Sequence, residues 1–268
     1  MTSMLPADNL EQRSTMKKQI NIRGQFAYKT DIGRVRIINE DQAIILSNAS
    51  GDVLMCVCDG MGGHAKGDYA SKLAVDVLSE QFRKKSHFVT RFGARRFISK
   101  CIRQINTTIY NEAQQNIEYK DMGTTLVVAL LYKDDIVVAN VGDSRAYSVR
   151  YDHLKQLSED QTYVEYLYRT GKISKEEIAT SKDRHVLMNA LGLYPSASYE
   201  IKVYPNIKTP ILLCSDGLYN NATEAEIHAA LSTNERIELK IDTLISIANA
   251  NGGSDNIAIA YWESIEND

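Results

Sequence analysis

Cysteine and proline are scarce in this chain, with four of each in 268 residues, and tryptophan occurs once. The cysteines are Cys56, Cys58, Cys101 and Cys214. They lack the CxxC spacing of a zinc site, and Cys56 and Cys58 alternate within an apolar run, where cysteine acts as a small buried hydrophobe. A reduced, cytoplasmic protein is the expected setting. No apolar run approaches the roughly 20 residues that span a bilayer. Net charge is -3, which leaves no electrostatic footprint for nucleic acid. The pairs Lys84/Lys85 and Arg95/Arg96 are read as decoration of helix faces. The opening residues are polar and lack the apolar centre of a signal peptide. Residues 1–19 are expected to be a flexible extension. No Pro- or Ser-rich linker and no internal repeat divides the rest, so residues 20–268 are taken as a single domain.

Short runs rich in β-branched residues predict strands at 41–47, 53–58, 125–132, 136–141, 211–215 and 256–262. A hairpin turn is expected at "YKDDI", with Asp134 and Asp135 in the turn. Three- and four-residue apolar spacing predicts long helices over about 67–82 and 95–116. Capping boxes at Ser174/Glu177 and Thr223/Glu226 start shorter helices, and a final helix covers about 237–250. Strands and helices in segregated blocks indicate an α+β fold.

One stretch, "VCDGMGGHAKGDYAS", ends an apolar run in Asp59 and crowds four glycines behind it. The context recurs: "IVVANVGDSRAY" carries Asp143, "ILLCSDGLYNN" carries Asp216, and "NGGSDNIAIA" carries Asp255. One such acid is a turn residue. Four in the same strand-end context read either as four unrelated turns or as a site. Converging carboxylates repel one another, so they need raised pKa values or a bound cation. All-oxygen ligands suit Mg²⁺ or Mn²⁺ rather than zinc.

With "GRVRIINEDQ", "CDGMGGHAKGDYAS", "MGTTLVVALL", "ANVGDSRAY", "LSEDQTYVEYLYRTGKIS", "LLCSDGLYNN" and "GGSDNIAIA" in that order, the chain resembles the metal-dependent protein serine/threonine phosphatases of type 2C, the PPM family, in their compact bacterial form. The resemblance implies an αββα sandwich of two central antiparallel sheets flanked by helix pairs. It implies two Mn²⁺ or Mg²⁺ ions per active site, held by Asp59, the Gly60 carbonyl, Asp216 and Asp255, with Asp143 at a third, weaker ion. It implies hydrolysis of phosphoserine and phosphothreonine on proteins by a hydroxide bridging the ions, opposing a cognate serine/threonine kinase. Arg36 matches the phosphate-binding arginine, with Arg34 as a possible second contact on the same face of an extended segment. Glu40 and Asp41 match a pair that holds metal-bound waters, although Asp41 also suits a strand start. Residues 160–189 correspond to a flap beside the site, where Tyr163, Tyr166 and Tyr168 are read as packing. His64 does not align simply with the histidine that animal relatives carry after the Asp-Gly, and is left out of the catalytic set. A monomer without a membrane span is expected. The competing readings are a regulatory pseudophosphatase that only binds phosphoproteins, and a phosphatase of another phosphomonoester.

Overall fold

The apolar runs that predict strands are apolar on both faces, and in a layered protein that pattern places a sheet between two other layers. The computed structural model describes residues 24–62, 66–205 and 208–265; residues 1–19 and His64 lie outside them. The first half contains β1 (Gly24–Asp31), β2 (Asp41–Ser47), β3 (Val53–Met61), α1 (Lys66–Arg83), α2 (Arg91–Gln115), β4 (Gly123–Thr124), β5 (Leu126–Tyr132) and β6 (Asp135–Val141). The second half contains β7 (Arg145–Val149), β8 (Leu154–Gln156), α3 (Tyr163–Arg169), α4 (Lys175–Thr180), β9 (Glu200–Tyr204) and β10 (Ile211–Cys214). It closes with α5 (Asp216–Tyr219), α6 (Glu224–Leu231), α7 (Ile237–Ala250) and β11 (Ile257–Ser264). One sheet runs β1-β11-β10-β7-β8 and the other β2-β3-β5-β6-β9, with the short β4 beside β3. The pairings within both are antiparallel.

The two-residue period of the strands divides the core into layers. On β3, Leu54, Cys56 and Cys58 face α1 and α2, meeting Ala70, Ala74, Ile102 and Ile105. The intervening Val53, Met55 and Val57 face the other sheet, meeting Leu213, Ala258 and Ala260. On the far side, Leu212, Cys214, Ile257 and Ile259 pack against Ile227, Ile241 and Leu244 of α6 and α7. The result is the expected αββα sandwich. All four cysteines are buried and unpaired.

Helix caps follow the expected chemistry. Thr223 and Glu226 close a reciprocal capping box at α6, and Ser174 and Glu177 do the same at α4. Three details depart from expectation. Tyr132 pairs with Asp135, so the hairpin turn is Lys133-Asp134 and Asp135 opens β6, where Arg91 grips its carboxylate at 2.7 and 3.0 Å. Residues 32–40 form turns and bends rather than an extended strand, so Arg34 and Arg36 share no strand face. Tyr163, Tyr166 and Tyr168 are each about two-fifths exposed, and α3 buries only Val164.

Candidate active site

The antiparallel register of β2 and β3 sets Asp41 directly opposite Asp59. Asp216 opens α5 with only Ser215 between it and β10, Asp255 lies just before β11, and Asp143 sits between β6 and β7. The two sheets thus deliver five carboxylates to one end of the sandwich. Burial is the largest cause that lifts Asp59 well above the usual carboxylate range, and the charges of Asp41, Asp216, Asp143 and Asp255 add to it. Burial also raises Asp41, Asp143 and Asp216, with Asp216 acting on the first two and Asp255 on the third. Asp59 influences the ionisation of both Asp41 and Asp216 across the site. Among the described residues, no three His, Cys, Asp or Glu side chains stand close enough to clasp one ion.

The donor set nevertheless fits a hard dication. It is oxygen only, it is crowded with negative charge, and Asp216 Oδ1 is buried without a hydrogen-bond partner. A buried anionic oxygen left unpaired is costly, and a cation is the group that would satisfy it.

The backbone around Asp59 is fixed on both sides. Its N–H donates to Thr125 Oγ1 at 2.9 Å, and its carbonyl accepts from Thr125 N at 2.8 Å. Gly60 is required by a close approach. A Cβ there would fall 2.1 Å from the Gly67 carbonyl oxygen and 2.6 Å from that of Glu40. Glu40 organises this loop: its carbonyl accepts from Gly60 N at 3.2 Å and Ser71 Oγ at 2.6 Å, and its Oε1 accepts from Gly67 N at 3.2 Å. Asp41 both begins β2 and turns its buried carboxylate into the site, where Ser215 Oγ donates to it at 2.6 Å. Arg36 Nη2 donates to Asp255 Oδ2 at 2.8 Å while half its side chain stays exposed, and its charge reaches Asp216. Arg34 is held by its backbone to Gly253 O at 2.8 Å.

Asp143 follows Gly142, whose φ of +92° favours glycine and which lies against Thr125. Two residues on, Arg145 forks onto Asp160 at 2.6 to 3.1 Å, stacks 3.6 Å over the Tyr219 ring, and donates to Tyr147. Tyr219 in turn donates to the Asp143 carbonyl at 3.1 Å. Asp160 begins the excursion that carries α3 and α4, and its neck is closed by Tyr163 N to Val186 O and Met188 N to Gln161 O. His185, within that excursion, places Nδ1 4.0 Å from Asp216 Oδ2.

The protein phosphatase 2C family model matches residues 34–259, which holds every acid described above. The chain belongs to the protein phosphatase 2C family. Among curated proteins it is 38% identical to serine/threonine phosphatase stp of Listeria innocua, over 88% of this chain and 94% of that one. It is 29% identical to protein phosphatase PhpP of Streptococcus pneumoniae, over 91% and 99%. Among solved structures it superposes on serine/threonine phosphatase Stp1 of Staphylococcus aureus with a TM-score of 0.86, at 34% identity and 92% and 97% coverage. The Mycobacterium tuberculosis phosphatase PstP/Ppp matches with a TM-score of 0.82, at 28% identity and 91% and 99% coverage.

Three supporting residues of this phosphatase escaped the reading of the sequence. Asn256, buried beside Asp255, accepts from Glu40 N and donates to the carbonyls of Ile32 and Ile38, so it pins the loop that carries Arg36. Ser215 bridges Asp41 to the Ala258 N–H. Arg145 joins the Asp143 turn to Asp160. The first two flank recognised acids in "SDN" and "CSDG", and the third lies inside "GDSR", so adjacency was the available signal.

Proposed function

We propose that this 2C-type phosphatase is a Mn²⁺- or Mg²⁺-dependent hydrolase of phosphoserine and phosphothreonine on proteins, acting opposite a cognate serine/threonine kinase as a cytoplasmic monomer. Residues 20–268 form its catalytic unit, with residues 160–189 as a flap. The observation that carries the reading is the delivery of five mutually repelling carboxylates to one place with Asp216 Oδ1 left unpaired. Asp59, the Gly60 carbonyl, Asp216 and Asp255 would hold two ions, and Asp143 a third, weaker one. Such ions supply a lowered water pKa and neutralise charge on the phosphoryl oxygens.

The remaining work falls to this chain's own groups. Arg36 orients the phosphate through the forked donors of its guanidinium, from a position already beside Asp255. Glu40 and Asp41 position water through carboxylate oxygens fixed by Gly67 and Ser215. The flap neck holds its segment beside Asp216. A pseudophosphatase would be expected to lack one of these acids, and Asp59, Asp216 and Asp255 are all present. No helix among the described residues is long and apolar enough to cross a membrane.

The test uses purified full-length protein with p-nitrophenyl phosphate and a phosphothreonine peptide. Hydrolysis is expected with Mn²⁺ and should stop in excess chelator, while Mn²⁺ raises Tm without any substrate. Full activity in chelator, or a Tm that ignores Mn²⁺, would overturn the reading.

A further inference from the structure

Between Arg91 and Asn111 the chain carries Arg91, Arg95, Arg96, Lys100 and Arg103 and no acidic residue, although the whole protein is net negative. This stretch lies on α2, which was read from sequence as a decorated helix face. Arg91 is neutralised by Asp135. Arg95 and Arg96 are exposed, and among the described residues no hydrogen-bond or ion-pair partner holds their side chains. Arg103 is held in one geometry, donating to Ser99 Oγ at 2.7 Å and Tyr199 OH at 2.9 Å. These three arginines line a surface cavity of about 400 Å³ with Tyr199 and Phe92, whose ring is 72% exposed. Three uncompensated guanidinium groups around one hollow repel one another, and their forked donors match carboxylate or phosphate oxygens.

The hollow does not stand alone. It shares Arg103 and Tyr199 with a second cavity, which shares Ser196 with a third. The third shares Asp160, Thr162, Glu165 and Arg169 with a cavity of about 540 Å³ that reaches Asp143. Four hollows, each sharing lining residues with the next, thus mark out a furrow from Asp143, past α3, to the arginines of α2. A membrane would rest on the outer face of α2 and make no use of that furrow, whereas an extended polypeptide would.

We propose that the furrow carries the polypeptide of a protein substrate, and that Arg95, Arg96 and Arg103 bind acidic or phosphorylated residues of that substrate remote from the phosphate being removed. The proposal rests on the reading of the carboxylate cluster as the hydrolytic site.

The experiment compares the full-length enzyme and its Arg95→Glu/Arg96→Glu variant in Mn²⁺, using phosphorylated casein and p-nitrophenyl phosphate. With casein, kcat/KM of the variant should fall about 10-fold, chiefly through KM, because rim charges act on encounter and docking. With p-nitrophenyl phosphate the two should agree. Arg95→Lys/Arg96→Lys should recover most of the casein rate, and 0.5 M salt should lower the wild-type casein rate toward the variant's. Unchanged casein kinetics in the charge-reversed variant would overturn the proposal, as would an equal loss on both substrates. Wild-type binding to vesicles with 30% phosphatidylserine, lost in the variant while casein kinetics stay the same, would assign the arginines to a membrane and also overturn it. A wild type inactive on both substrates would instead remove the hydrolytic reading beneath it.

Discussion

Asn256 shows how much of this site depends on residues that never meet substrate. Its side chain is 4% exposed and holds three backbone groups of the segment that carries Arg36 and Glu40. Asn256→Ala should lower stability by about 1–3 kcal/mol, because buried backbone groups lose their partners. It should also raise KM for a phosphopeptide more than it lowers kcat, as the loop bearing Arg36 loosens. Thermal melts and steady-state kinetics check both, and a loss confined to Tm would leave Asn256 a purely structural residue. Asp59, Asp143, Asp216 and Asp255 were legible because each follows or precedes an apolar strand with glycine close by, whereas Asp41 was found only through the resemblance. Their supports were not legible. Ser215 meets Asp41, and Asn256 meets Glu40, only after two sheets have stacked, and nothing local in either segment encodes the distant partner.

Among the elements, the strands buried on both faces were read nearly to the residue, because continuous apolar runs leave little choice of layer. The strands that went unread are β1, the two-residue β4, β7, β8 and β9. β1 lies at the edge of its sheet with a mixed surface, and β8 has three residues. β9 alternates charged and apolar residues over Glu200, Ile201, Lys202 and Val203, so its signal was present but short. β7 begins directly after the Asp143 turn, where glycine and acid masked its start. The excursion at 160–189 is tied to this framework by Glu159, which receives Lys202 of β9 and Arg169 of α3. Those contacts, Lys202 first, hold Glu159 below the usual glutamate range. A depressed carboxylate pKa gives stability that is present above the unfolded value and lost as pH falls. Glu159 is over one-third exposed, so the effect on global stability is small and local opening is the better readout. Limited proteolysis within 160–189 should quicken below about pH 4.3. Glu159→Gln should make cleavage fast already at pH 7 and flatten the pH response. A wild-type pH response retained in that variant would move the anchor elsewhere.

Across the whole molecule, seven motifs in family order identified the fold before any contact was known, and the sandwich explains why they are spread over the full chain. Strand ends from both sheets, far apart in sequence, must arrive at one edge to assemble the carboxylates. The resemblance was silent on the basic face of α2, because its arginines are ordinary helix residues until β9 and the 190s segment close a hollow around them. The central claim remains that the converging acids are a metal centre for phosphoester hydrolysis. Calorimetric titration of Mn²⁺ into metal-free wild type, Asp59→Asn and Asp143→Asn, with p-nitrophenyl phosphate turnover on the same samples, tests it most directly. Two tight ions are expected in the wild type and in Asp143→Asn, while Asp59→Asn should lose tight binding and turnover together. Equal stoichiometry and turnover in all three would contradict the account and leave the acids as turn residues.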